Sequence, residues 1–145
     1  VLVVCKGNVC RSPLAEVVLA DVLGPCRVRS RALTPSAGGP AALKVREYAA
    51  RVGYSLEDHR ACPLLDEDLA WADVILYMSE ANLRGLELRD AWPAVVSRAV
   101  RVRSLGSYIG IDRIADPGFL PRGPRLEAVL GIVVQASLAA ARSLA

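Results

Sequence analysis

The chain opens on Val1-Leu2-Val3-Val4, an unbroken β-branched and aliphatic run, the pattern of a strand covered on both faces in a parallel sheet. The run stops at Cys5. Lys6-Gly7-Asn8-Val9-Cys10-Arg11 is short and polar, and Ser12-Pro13 then opens a helical stretch from Leu14 to Leu23. Ser12 suits an N-cap, Pro13 the first helical position and Glu16 the far end of a capping box, while Gly24-Pro25 stops the helix. Cys26 to Arg31 reads as an edge strand, and Leu33 to Gly39 as a turn-rich loop. From Pro40 to Gly53 the apolar residues Ala41, Leu43, Val45, Tyr48, Ala49 and Val52 recur at helical spacing. Leu64 to Ala72 reads as a short acidic-started helix, Asp73 to Met78 as a second buried strand, and Glu80 to Leu88 as a helix capped by Ser79. Val100 and Val102 alternate with Arg101 and Arg103 in a strand from Ala99 to Leu105 with one wet face. A loop from Gly106 to Pro124 carries Asp116-Pro117, and Arg125 to Leu144 forms a long amphipathic helix. Strands alternating with helices predict one α/β domain over residues 1–145 with a mainly parallel sheet.

Composition narrows the class. With 145 residues, 53% apolar and 23% charged, the chain fits one folded domain and excludes a disordered one. Charged residues interrupt every apolar run short of bilayer length, and no basic n-region precedes Val1, so neither membrane insertion nor an export signal is expected. The formal charge of +3 is too small to imply nucleic acid as a partner. Four irregularly placed cysteines, Cys5, Cys10, Cys26 and Cys62, and a lone histidine, His59, fit neither a disulfide framework nor a zinc site. The expectation is a cytoplasmic protein without a metal.

The order strand, loop, helix start gives the chemistry its place. Ligands of parallel α/β sheets lie beyond the strands' carboxyl ends, where helix N-termini offer unpaired N–H groups and partial positive charge. Gly7 lets the loop curl so that amides from Lys6 to Arg11 point inward, and Arg11 adds a planar fork for two phosphate oxygens. The same field suits a reactive thiol at Cys5. A nucleophile therefore lies at the floor of an oxyanion site. The loop lacks the second glycine and the lysine of a nucleotide-binding P-loop.

The segment Val4-Cys5-Lys6-Gly7-Asn8-Val9-Cys10-Arg11-Ser12-Pro13 strongly resembles the signature of the low molecular weight protein tyrosine phosphatases. The likeness continues in order through Leu14-Ala15-Glu16, Ser30, Gly39-Pro40-Ala41, His59, Val74 to Met78, Glu80 to Leu83, Leu105 to Tyr108 and Asp116-Pro117. It implies a small flavodoxin-like fold, a four-stranded parallel sheet with helices on both faces, and phosphomonoester hydrolysis through a cysteinyl-phosphate intermediate without cofactor. Cys5 would be the nucleophile, Arg11 and the Lys6–Ser12 loop (Lys6, Gly7, Asn8, Val9, Cys10, Arg11, Ser12) the phosphate cradle, and Asp116 the acid and then the base. Ser12 would donate to the Cys5 sulfur, and Asn8, held by Ser30 and His59, would fix the loop. Val9 and Phe119 would form the substrate rim. Cys10 could capture oxidised Cys5 as a disulfide.

The rim departs from the family. Gly118 and Phe119 follow Asp116-Pro117 where aromatics are usual, Leu33 to Gly38 contains no aromatic, Arg31-Ala32 replaces Ala-Gly after the serine, and Cys62 stands where an arginine is common. Lost aromatic contacts of about 0.5–1.5 kcal/mol each predict weaker phosphotyrosine binding. The partner expected is a phosphorylated protein or a small phosphate ester. Three alternatives carry different signals: an arginine phosphatase has Thr at the Val9 position, an arsenate reductase needs redox cysteines between Met78 and Arg89, and a phosphate-binding module needs neither nucleophile nor acid. Arg31, Arg101 and Arg103 read as solvated strand faces, and Trp71 and Trp92 as anchors of the core or surface.

Overall fold

The computed structural model describes residues 1–35 and 38–145. Ser36 and Ala37, part of the Leu33–Gly39 loop, lie outside the described residues. Four strands, β1 (Leu2–Cys5), β2 (Arg29–Ala32), β3 (Val74–Tyr77) and β4 (Arg101–Ser104), form a sheet in the order β2-β1-β3-β4. All three pairings are parallel, with Cys5 opposite Ala32 and Val3 opposite Leu76. β1 is central and buried at every position, as its unbroken apolar run predicts. β2 lies at the edge but starts later than the sequence reading, because Pro25 to Arg27 form a 3-10 turn after Gly24.

Among the described residues six α-helices accompany the sheet: α1 (Arg11–Leu23), α2 (Leu43–Arg51), α3 (Asp66–Trp71), α4 (Glu80–Glu87), α5 (Trp92–Ser97) and α6 (Pro124–Leu144). Val3 and Cys5 of β1 face one core layer with Leu14 and Val18 of α1 and Leu130 and Val133 of α6. Leu2, Val4 and Ile75 face the other, with Leu69 of α3, Leu86 of α4 and Val95 of α5. The period-2 alternation of strand side chains thus puts helices on both faces. α6 reaches the length and apolarity of a bilayer span, although charges break its apolar run; its buried stripe, Leu126, Leu130, Val133, Ala136 and Ala140, packs on α1.

Several local expectations are corrected. The capping box at Ser12 and Glu16 does not form: α1 starts at Arg11 with Cys10 at the cap position and no side-chain cap. The Ser12 hydroxyl instead meets Cys5 and Asn8, and Glu16 reaches Ser30. Ser79 occupies the N-cap of α4 without a side-chain bond; Asn82 Oδ1 accepts the Met78 amide at 3.0 Å there. α2 begins three residues after Pro40 because Ala42 N is bonded to Val9 O at 2.9 Å. Arg31 is not merely solvated: its Nε lies 3.0 Å from Asp68 Oδ2, and Arg103 stacks over Tyr108 at 4.5 Å.

Candidate active site

β1 ends at Cys5, and the chain then bends through Lys6 to Cys10 before α1 begins at Arg11. Asn8 takes a positive φ of 56°, and its N–H donates to Cys5 Sγ at 3.3 Å. Ser12, in the first turn of α1, places its Oγ 2.9 Å from the same sulfur. Asn8 Nδ2 donates to that Oγ at 2.8 Å, which occupies an oxygen lone pair and leaves the hydroxyl proton for the sulfur. Two donors thus converge on Cys5 Sγ, an arrangement that stabilises negative charge there.

The scaffold behind the loop is continuous. Asn8 Nδ2 also donates to Ser30 Oγ at 2.9 Å, and Ser30 in turn donates to Glu16 Oε2. His59 Nε2 lies 2.8 Å from Asn8 O, which can only accept, so this nitrogen carries the proton. Cys62 N donates to Asn8 Oδ1 at 3.0 Å. Because the backbone of residue 62 makes this bond, the support of Asn8 does not depend on which side chain stands there. Thr34 Oγ1 closes the loop's outer side on Lys6 O at 2.8 Å.

Arg11 is almost wholly buried. Its Nη1 donates to Ile114 O at 3.0 Å, and its Nη2 stands 3.6 Å from Asp116 Oδ2. The carboxylate is half-exposed and its Oδ1 accepts Gly118 N at 2.9 Å. A depression of about 260 Å³ unites Cys5, Lys6, Val9, Arg11, Asp116 and Phe119, with Cys10 also on its wall. A larger cavity of about 630 Å³ lies at the strands' amino ends, around Val1, Asp73 and Arg101, and holds none of these groups. Its size is no guide to the chemistry, which needs the carboxyl ends. Cys10 is held as a thiol: burial first, then the neighbouring Cys5 and Asp116, pushes it up to about 11.

The residues that the sequence singles out therefore share one depression or its scaffold. Of the rim, Val9 is exposed and Phe119 is 99% exposed, bordering the depression at its solvent edge. Three contributors carry no distinguishing signal in the sequence. Glu16 lies four residues after Ser12, one more than a capping box spans, Thr34 sits in a loop, and Lys44 looks like any solvated helix charge, yet its Nζ bonds three carbonyls of the Asp116 loop.

Known proteins resemble the chain in sequence and in fold. The family model described as low molecular weight phosphotyrosine protein phosphatase matches residues 1–142. The low molecular weight protein-tyrosine-phosphatase Ptp of Acinetobacter johnsonii is 34% identical over 117 residues, covering 81% of this chain and 78% of that protein. Among solved structures, the Erwinia amylovora tyrosine phosphatase AmsI superposes with a TM-score of 0.84 at 30% identity, covering 98% of this chain and 90% of that one. The YwlE arginine phosphatase from Geobacillus stearothermophilus superposes with a TM-score of 0.80 at 26% identity, covering 99% and 90%.

Proposed function

The chain belongs to the low molecular weight phosphotyrosine protein phosphatase family, and from that premise we propose that Cys5, Arg11 and Asp116 carry its reaction. It is a protein-tyrosine-phosphatase of the cysteine-dependent kind, working on phosphate monoesters. The observation that supports the residue roles is the convergence of Ser12 Oγ and Asn8 N on Cys5 Sγ, at the floor of a depression flanked by Arg11 and Asp116.

Cys5 Sγ attacks phosphorus in line with the ester oxygen. The S–P bond forms as the P–O bond breaks, and Asp116 gives its proton to the departing oxygen. Arg11 and the amides of Lys6 to Ser12 hold the three equatorial oxygens, where charge is redistributed in the transition state. Asp116, now a carboxylate, takes a proton from water; its oxygen attacks phosphorus, the S–P bond breaks, and phosphate leaves. Ser12 stabilises the sulfur as it departs. Asn8, Ser30 and His59 act on the loop's shape and take no proton. The whole chain, 1–145, acts as one catalytic domain.

The substrate is a phosphotyrosyl protein or a small aryl phosphate bound through its phosphate more than through its ring, given that Phe119, the aromatic on the rim among the described residues, is turned to solvent. Val9 offers no hydroxyl for a guanidinium phosphate, which supports tyrosine over arginine. No cysteine lies between Met78 and Arg89 to serve an arsenate reductase, and a binding module would need neither Cys5 nor Asp116. A reducing cytoplasm suits four free thiols. Cys10 lines the same depression as Cys5, but a thiol held protonated to about 11 attacks slowly at neutral pH. Its capture of oxidised Cys5 is correspondingly slow there.

Cys5→Ser tests the reading directly. The variant should bind vanadate or inorganic phosphate yet lose turnover of phosphotyrosine peptide to background, and acid-quenched wild-type protein should carry a thiol-linked phosphate that the variant lacks. Residual turnover near the wild-type rate would remove Cys5 as nucleophile.

A further inference from the structure

We propose that Lys44 is the positioning residue that sets the proton donor against the nucleophile loop. The inference rests on the reading of Asp116 as that donor and adds the group that holds it in place. Lys44 is the second residue of α2, and its ammonium donates to Pro117 O at 3.0 Å, Gly118 O at 2.8 Å and Leu120 O at 2.7 Å. An ammonium has three N–H groups, so all three are engaged on one turn. Among the described residues Lys44 has no carboxylate in an ion pair.

The link to Asp116 is a single peptide plane. The Pro117 carbonyl accepts from Lys44, and the N–H at the other end of the same peptide, that of Gly118, donates to Asp116 Oδ1 at 2.9 Å. The planar trans peptide couples the two ends, so moving the carbonyl re-aims the N–H. A cation on the carbonyl also polarises the N–H toward a stronger bond to the carboxylate. At its other end Lys44 is anchored to the nucleophile loop, because Ala42 N, at the start of α2, is bonded to Val9 O at 2.9 Å. The path from Val9 through Ala42 and Lys44 to the Pro117–Gly118 peptide therefore fixes the acid loop relative to the phosphate loop. Packing holds the loop at Pro117, which is buried, and at Leu120, which is half-buried against the core, whereas Gly118 and Phe119 between them are exposed, so the aim of the Pro117–Gly118 peptide falls to Lys44. Arg11 restrains the near side, through Ile114 O and through its Nη2, 3.6 Å from Asp116 Oδ2, and does not reach the Pro117–Gly118 peptide.

The test compares kcat/KM for phenyl phosphate, whose leaving group needs a proton, with that for 2,4-dinitrophenyl phosphate, whose leaving group does not. Lys44→Met should lose about 10–100-fold on phenyl phosphate and under about twofold on the dinitrophenyl ester. Lys44→Arg, which keeps donors and charge, should recover most of the loss. In an Asp116→Asn background Lys44→Met should have no further effect on phenyl phosphate, since there is no acid left to misplace. Equal losses on the two esters, or additive losses in this cycle, would overturn the proposal. If Asp116→Asn alone were unselective, the reading of Asp116 as acid would fail; if only Asp116→Asn were selective and Lys44→Met inert, the positioning role alone would fail. Thermal unfolding of each variant is measured alongside, and if Lys44→Met does not fold, Lys44→Gln carries the same comparison.

Discussion

Asn8 uses every polar atom it has. It is fully buried, its amide faces Cys5 Sγ, its carbonyl faces His59, its Nδ2 serves Ser12 and Ser30, and its Oδ1 accepts from Cys62 N. It does so at a φ of 56°, where asparagine is tolerated and most L-residues are strained. Two separable effects follow for substitution. Asn8→Ala removes the side-chain bonds, leaves buried partners unsatisfied and adds backbone strain, so it should cost about 3–5 kcal/mol of stability in urea unfolding. Asn8→Gly removes the same bonds without the strain and should be more stable than Asn8→Ala by about 1 kcal/mol. Both should lower kcat/KM by about tenfold or more, because the Ser12 hydroxyl is no longer oriented toward the sulfur. Equal stability of the two variants would show that the left-handed backbone carries no cost at this position.

At the scale of elements, the edge strand β2 and the helix α3 are joined by one carboxylate. Asp68 of α3 is buried, accepts Leu65 N at 3.1 Å, and pairs with Arg29 and Arg31 of β2 at 3.3 Å and 3.0 Å. Arg29 also stacks over Trp71 at 4.1 Å. Asp68→Asn should therefore destabilise by about 1–3 kcal/mol in urea unfolding, since it takes the negative charge from both ion pairs but keeps a shape that can still accept from Leu65 N. Its kcat/KM should stay within about twofold of wild type, because these contacts lie behind β2 and touch none of the reacting groups; a large loss of activity would instead couple the edge strand to the site. The buried aliphatic run of β1, the Gly24 stop and the sheet's parallel order were legible in sequence because each rests on local pattern. So was the Cys5–Ser12 loop, whose residues are contiguous. Arg31, Glu16 and Lys44 were not, because their partners Asp68, Ser30 and the Asp116 loop are distant in sequence, and each has a local use that looks sufficient. α5 escaped for the opposite reason: six residues opened by Trp92-Pro93 are too few to establish a period.

The whole molecule gathers these parts because all four strands run in parallel. The loops after β1, β2 and β4 leave from one end of the sheet, so segments as distant as Lys6, Thr34 and Asp116 border one depression. Folding around that depression also buries a thiol, and this links the stability of the entire domain to alkaline pH. Cys10 loses its proton near its ordinary value of 9.0 when unfolded and holds it to about 11 when folded, chiefly because burial disfavours the thiolate. Between those values the native state binds more protons than the unfolded state, so raising the pH pulls the equilibrium toward unfolding. The contribution is fully present below pH 9, falls through the window and is gone above about 11. Discounted for the part of the group that water reaches, it amounts to about 1–2 kcal/mol. Urea unfolding of wild type and Cys10→Ala at pH 8, 9, 10 and 11 isolates it, since the other titrating groups are common to both chains. Their stability difference should shift in favour of Cys10→Ala by that amount between pH 9 and 11. A constant difference across the series would mean that Cys10 ionises as easily in the folded protein as in the unfolded chain, and that its burial in the loop does not protect the thiol.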